Sequence, residues 1–197
     1  MLFNICTTQS AISVKTSAQS PRLATVQKTI KEAFGRICQG HDYPYASGAL
    51  WSTHDILEYI LAQIGPADLT LCTWSVSIAA AEKLLQWKNA GTLRSVKMLV
   101  DWRVQVRTPG MMELAKKNSV DMRVSSCHAK AFILQNAEWS ISMVGSANLT
   151  NNPRIECGHI STSEQVCNFH KAWILAEIEN AKPFGIDMRR SKPDGRK

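Results

Sequence analysis

The sequence predicts one α/β domain, a mixed β-sheet flanked by helices. Two observations carry that reading. From Asp68 to Val124, short apolar runs alternate with helix-period segments in the order strand, helix, strand, helix, strand. After Ser125, three further strand-length runs follow one another directly, and a long helical pattern closes the series. The 197 residues show no internal repeat, and they suit one core better than two.

Residues 1–22 are rich in Ser, Thr, Gln and Ala in their later part and read as a flexible lead-in. The domain is expected over 23–182. Leu23, Val26, Ile30, Phe34 and Ile37 recur at spacings of three and four, which predicts an amphipathic helix. Residues 38–52, with Gly, Pro and two tyrosines, read as a loop. Ser52 or Thr53 caps a helix over 54–64, which Gly65-Pro66 ends. Strands are predicted over 68–74 and 95–102, with a helix over 78–91 between them, capped by Ser75 or Ser77 and closed by Gly91. A short helix over 110–118 precedes strands over 119–124, 128–134, 139–145 and 155–162. Ser163 caps a final helix reaching residue 181. Residues 183–197 read as a basic, disordered tail.

The formal charge is +7, which favours a polyanionic partner. From Lys182 onward, six basic and two acidic residues supply four of those charges, so the domain itself is only mildly basic. The six cysteines, at 6, 38, 72, 127, 157 and 167, form no CxxC pair, and several sit in apolar runs. They read as buried thiols of a reduced, cytoplasmic protein. No basic segment followed by a long apolar one suggests a signal peptide, and no apolar run reaches 18 residues, so no stable membrane association is expected.

Polar residues in the apolar stretch 125–156 set the functional question, because unpaired polar groups are costly in a core. Side chains alternate along a strand, so His128 and Lys130 share one face while Cys127 takes the other. A Cys127–His128 dyad is thereby disfavoured. The imidazole can attack or protonate, and the ammonium is a fixed cation suited to a phosphate oxygen. Gly145 permits close approach, and Ser146 and Asn148 add donors on one face. Glu156 is placed to orient the imidazole through its second nitrogen. Together these suit a phosphodiester and its charged transition state. With no carboxylate cluster for magnesium, the expectation is metal-free chemistry and no cofactor.

The order His-x-Lys, Gly-Ser-x-Asn and a downstream Asn and Glu resembles the phospholipase D superfamily and its HKD motif. The resemblance spans roughly residues 50–180 and rests above all on 128–156. One departure is clear: the motif's aspartate, five residues after the lysine, is Gln135 here, and the stretch to Gly145 is three residues longer than usual. The resemblance implies that one motif's histidine attacks phosphorus to give a phosphohistidine, while a second motif's histidine protonates the leaving oxygen. This chain holds one motif; His41, His54, His159 and His170 lack a lysine two places on. A homodimer that faces two copies of His128 across its axis supplies the pair. The expected activity is that of a metal-independent phosphodiesterase, a nuclease acting on DNA ahead of RNA. His128, Lys130, Ser146, Asn148 and Glu156 form its site. Arg103, Arg107, Arg123 and Trp74 are expected to touch nucleic acid.

Blander readings stand beside these. A nucleic-acid-binding protein that has lost turnover is the alternative, with Gln135 as its support. A lipid phosphodiesterase is a further one, disfavoured by the small size and basic tail. Cys157, His159, Cys167 and His170 offer a zinc-like ligand set, but at no usual finger spacing. Core packing is the blander reading of the six tryptophans; Trp51, Trp74 and Trp102, near strand or loop ends, are the better candidates for stacking on bases.

Overall fold

The computed structural model describes residues 29–48, 50–111, 114, 118, 120–151 and 154–183. The expected lead-in, nearly all of the tail and most of the helix over 110–118 lie outside them. The elements are α1 (Ile30–Phe34), β1 (Asp42–Gly48), α2 (Thr53–Ile64), β2 (Ala67–Thr73), α3 (Ile78–Asn89) and β3 (Leu93–Asp101). Then come α4 (Val104–Arg107), β4 (Asp121–Ser125), β5 (Ala131–Gln135), β6 (Ser140–Gly145), β7 (Ile155–Ser161), α5 (Glu164–Asn180) and β8 (Lys182–Pro183).

The strands form one eight-stranded sheet in the order β1-β7-β6-β5-β2-β3-β4-β8. β2, β3 and β4 run parallel, as helical crossovers require, and every other pairing is antiparallel. Alternation along β2 divides the core. Leu69 and Leu71 face the larger apolar cluster, which includes Ile56, Leu57 and Ile60 of α2 and Leu84 of α3. Cys72, with Leu99 and Ile133, faces Cys167, Ile174 and Ile178 of α5. The sheet is thus covered on both faces.

Caps sit where hydroxyls precede apolar periodicity. Ser52 forms a capping box with Asp55, and Ser77 and Ser163 accept from the third amide of their helices. Gly65 ends α2 at φ 75°. Three expectations change. The helix expected from Leu23 to Ile37 has residues 23–28 outside the described ones and ends at Phe34, before Gly35 at φ 60°. Residues 42–48 form strand β1 rather than loop. β1 is an edge strand, where Pro44 is tolerated, and Tyr43, Tyr45 and Ser47 alternate inward. The strand expected from His128 begins at Ala131, so His128 and Lys130 lie on the extended segment leading into it.

The parallel strands β2 and β3 end along one rim of the sheet. That rim also carries the entry to β5, the end of β6 and the start of β7, as the pairings Cys72↔Ala131, Ala131↔Val144 and Gly145↔Gly158 require.

Candidate active site

On this rim, Lys130 is buried while its neighbours Ala129 and His128 are exposed. Its Nζ donates to the His128 carbonyl at 2.6 Å and lies 3.3 Å from His128 Nδ1. Burial lowers its pKa; Cys127 and, after it, Glu156 oppose that shift without overcoming it. The Gly145 amide donates to the Lys130 carbonyl at 3.2 Å, which ties the end of β6 to the same segment. Cys127 turns the other way into the core, in one cluster with Cys72, and its thiol donates to the Ala129 carbonyl at 3.9 Å. The interaction with Cys72 holds the Cys127 pKa down, while Cys72, also deeply buried, is pushed up. The two-residue alternation therefore survives outside the regular strand.

Gly145 has a steric reason. A Cβ there would stand 2.5 Å from the Cys157 carbonyl oxygen and 2.9 Å from the Gly158 Cα. This close approach positions Ser146, whose amide donates to the Cys157 carbonyl at 2.9 Å. Ser146 Oγ donates to Glu156 Oε2 and accepts from the Cys157 amide at 3.0 Å. Glu156 thus holds the serine rather than the imidazole. The reason is register: β7 lies beside β6 and β1, not beside the segment carrying His128. Behind it the Tyr45 hydroxyl is buried, which raises its pKa, with Cys157 and Glu156 adding to the rise.

Asn148 is fixed from two sides. Thr53 Oγ1 donates to its carbonyl at 2.9 Å, and its Oδ1 lies 3.5 Å from Thr73 Oγ1. Thr73 Oγ1 in turn accepts from the Leu149 amide. Neither threonine was anticipated. Their only signal was a hydroxyl at a helix start and at a strand end.

Next to His128, the Trp74 ring lies 5.6 Å away and tilted by 54°. Arg107 and Arg103 sit over the Trp74 ring at 4.8 and 5.5 Å, and Arg103 is also 5.8 Å from Trp102. Arg103 is held by Asp101, a fully buried carboxylate accepting from its Nε at 2.6 Å and its Nη2 at 3.0 Å. The same hydrogen bonds raise the Arg103 pKa further. Asp101 was not anticipated, although an acid ending an apolar strand two residues before an arginine is a readable sign.

The structure does not bring Arg123 to this group. It sits within β4, three strands along the sheet from β5, and pairs with Asp121 at 3.0 Å. Nor does it gather the zinc-like set. Cys167 is in the core, His170 accepts from Trp173 Nε1, and His159 lies near Asp42. Among the described residues no group of three or more metal-ligating side chains occurs.

Gln135 lies at the far end of β5, roughly 20 Å from His128 at the usual strand rise. Its amide donates to Ser140 Oγ and Asn168 Oδ1, and its Oε1 accepts from Lys171 at 2.6 Å. The residue in the aspartate's place ties the β5–β6 hairpin to α5 and touches none of the site.

No family model matches the chain, and no curated protein does. Solved structures do. Nuc from Salmonella typhimurium, a phospholipase D family member, superposes with a TM-score of 0.58 at 13% identity, over 73% of this chain and 99% of that one. NucT from Helicobacter pylori gives 0.57 at 14%, over 73% and 100%. TrmBL2, an archaeal chromatin protein described for its DNA binding, gives 0.53 at 13%, over 72% and 53%. These likenesses establish the fold: the chain is a phospholipase D-like α/β domain. No helix of the described residues is long and apolar enough to cross a membrane.

Proposed function

We propose that the protein is a metal-independent phosphodiesterase, a nuclease that cleaves nucleic acid in a site shared by two subunits. The observation that carries this reading is the buried Lys130 ammonium, 3.3 Å from an exposed imidazole on the rim that also holds Ser146 and Asn148. An ammonium and an amide offer donors and charge to a phosphate without a metal.

The chemistry runs in two steps. A His128 nitrogen attacks phosphorus; a P–N bond forms as the P–O bond to the leaving oxygen breaks. The second copy of His128 gives that oxygen its proton. Water then attacks phosphorus, losing its proton to the second imidazole, and the P–N bond breaks to release the phosphate monoester. Lys130 and Asn148 hold the equatorial oxygens, and Ser146, whose hydroxyl proton goes to Glu156, fixes the end of β6 beside them.

The rim supports a second copy. Among the described residues, the large apolar side chains left exposed are Leu50, Ile78, Val106 and Ile155. They lie after β1, at the start of α3, on α4 and at the start of β7 respectively, all on the side that carries His128. Exposed large apolar side chains on one side of a molecule mark an interaction surface, and two-fold pairing closes such a surface on itself.

The test is hydrolysis with EDTA present, on single- and double-stranded DNA, RNA, a chromogenic phosphodiester and phosphatidylcholine. Cleavage of nucleic acid that His128→Ala abolishes supports the reading. Retardation of DNA without cleavage supports a binding protein of this fold, and turnover of the lipid alone supports a lipid phosphodiesterase.

A further inference from the structure

We propose that Trp74, with Arg107 and Arg103 over it, seats an unpaired base beside the scissile phosphate, so the substrate is single-stranded there. This rests on the phosphodiesterase reading above and extends it to the state of the strand.

The geometry forms a row. The imidazole that meets phosphorus is 5.6 Å from the indole, and the two guanidiniums lie 4.8 and 5.5 Å from that same ring. The row follows the sheet rim from β5 to β2 to β3, across the strands. A chain anchored by one phosphate at Lys130 meets, one strand along the rim, an indole with two guanidiniums over it, a surface that suits a base and the phosphate next to it.

Three further features fit a ligand better than packing. Arg107 is exposed, and among the described residues it pairs with no carboxylate, so its charge is open to a phosphate. Arg103 spends Nε and Nη2 on Asp101, which fixes its plane beside both indoles and takes up neither proton of Nη1. Trp74 Nε1 is buried and donates to nothing among the described residues. Buried donors are usually satisfied, and exceptions concentrate where function needs them.

The choice of single strand follows from access. In a duplex the base faces are stacked on one another, and a protein at the backbone meets phosphates and groove edges. Only an unpaired base can lie on an indole–guanidinium platform. A site built for duplex backbone alone would need the arginines and not the tryptophan.

The experiment is fluorescence anisotropy with three labelled dodecamers and His128→Ala protein, which keeps them intact. They are thymidine single strand, its blunt duplex with adenosine, and a strand of abasic tetrahydrofuran phosphates. The last has the same charge and no bases. The single strand should bind about tenfold or more tighter than the other two. In Trp74→Leu its advantage over the abasic strand should fall below about twofold. Equal binding of all three, or an advantage that Trp74→Leu leaves intact, overturns the proposal. The comparison in protein that retains Trp74 needs no second variant to fold. Strong single-strand preference without any His128-dependent hydrolysis by the wild type keeps this inference and removes the phosphodiesterase reading. Hydrolysis with equal binding does the reverse, and no binding to any of the three removes this inference.

Discussion

At the scale of the residue, Lys130 sets the tension between stability and function. The residue is 7% exposed, and burial disfavours its charge. Its folded pKa lies below the unfolded value, so between the two the unfolded chain holds more protons. Stability therefore rises with pH across that alkaline window, and the charge is a cost at neutral pH. Lys130→Met, similar in length, should raise the melting temperature at neutral pH, by roughly 1 kcal/mol of stability. It should lower phosphodiester hydrolysis by about a hundredfold or more. Calorimetry beside a rate assay checks both; a lower melting temperature contradicts the cost assigned to the charge. The two-residue spacing was enough to read His128 and Lys130 as neighbours, because extended backbone alternates even before the hydrogen-bonded strand begins. It could not say what Glu156 holds. That depends on which strand lies beside β7, and a cross-strand partner is not written in local spacing.

At the scale of the element, the β6–β7 pair fixes the site's donors. Gly145→Ala drives a Cβ into the Cys157 carbonyl, a backbone group that cannot step aside as a side chain could. The expected result is destabilisation by about 1–3 kcal/mol in chemical denaturation. A larger loss of hydrolysis should accompany it, since Ser146 moves with the strand. Unchanged stability contradicts the close approach. Helix α5 gives a pH effect. His170 accepts from Trp173 Nε1 at 3.2 Å, and burial lowers its pKa. The unfolded chain then takes up protons first as pH falls through about 6.5, so stability is full above that value and declines below it. His170→Gln should flatten the fall in denaturation midpoint between about pH 7.5 and 5. An unaltered slope contradicts it. The helices α2, α3 and α5 were legible because caps and apolar periodicity agree. Strand β1 was not. Its Pro44 and Gly48 read as turn signals, and the period-two burial of Tyr43 and Tyr45 makes sense only once an edge position is known.

At the scale of the whole molecule, the proposed shared site calls for a second copy, and the exposed apolar residues Leu50, Ile78, Val106 and Ile155 offer it a surface. Ile155 is 81% exposed at the start of β7, next to Glu156. In a monomer Ile155→Lys is neutral within about 0.5 kcal/mol. In a dimer closed over the rim it buries a charge and should shift sedimentation toward the monomer while leaving chain stability unchanged. A sedimentation profile like that of the wild type contradicts an interface at that point. The sequence carried the histidine count, from which the expectation of pairing comes. It could not show that the exposed apolar residues share one rim, because Leu50, Ile78, Val106 and Ile155 come from four separate parts of the chain.

A shared site can be tested most directly by co-producing wild-type chain with rising proportions of His128→Ala chain and measuring hydrolysis in EDTA. If each site needs both imidazoles, mixed pairs are inactive, and the rate per wild-type chain falls in proportion to the wild-type fraction. A rate per wild-type chain that stays constant at every proportion contradicts the shared site.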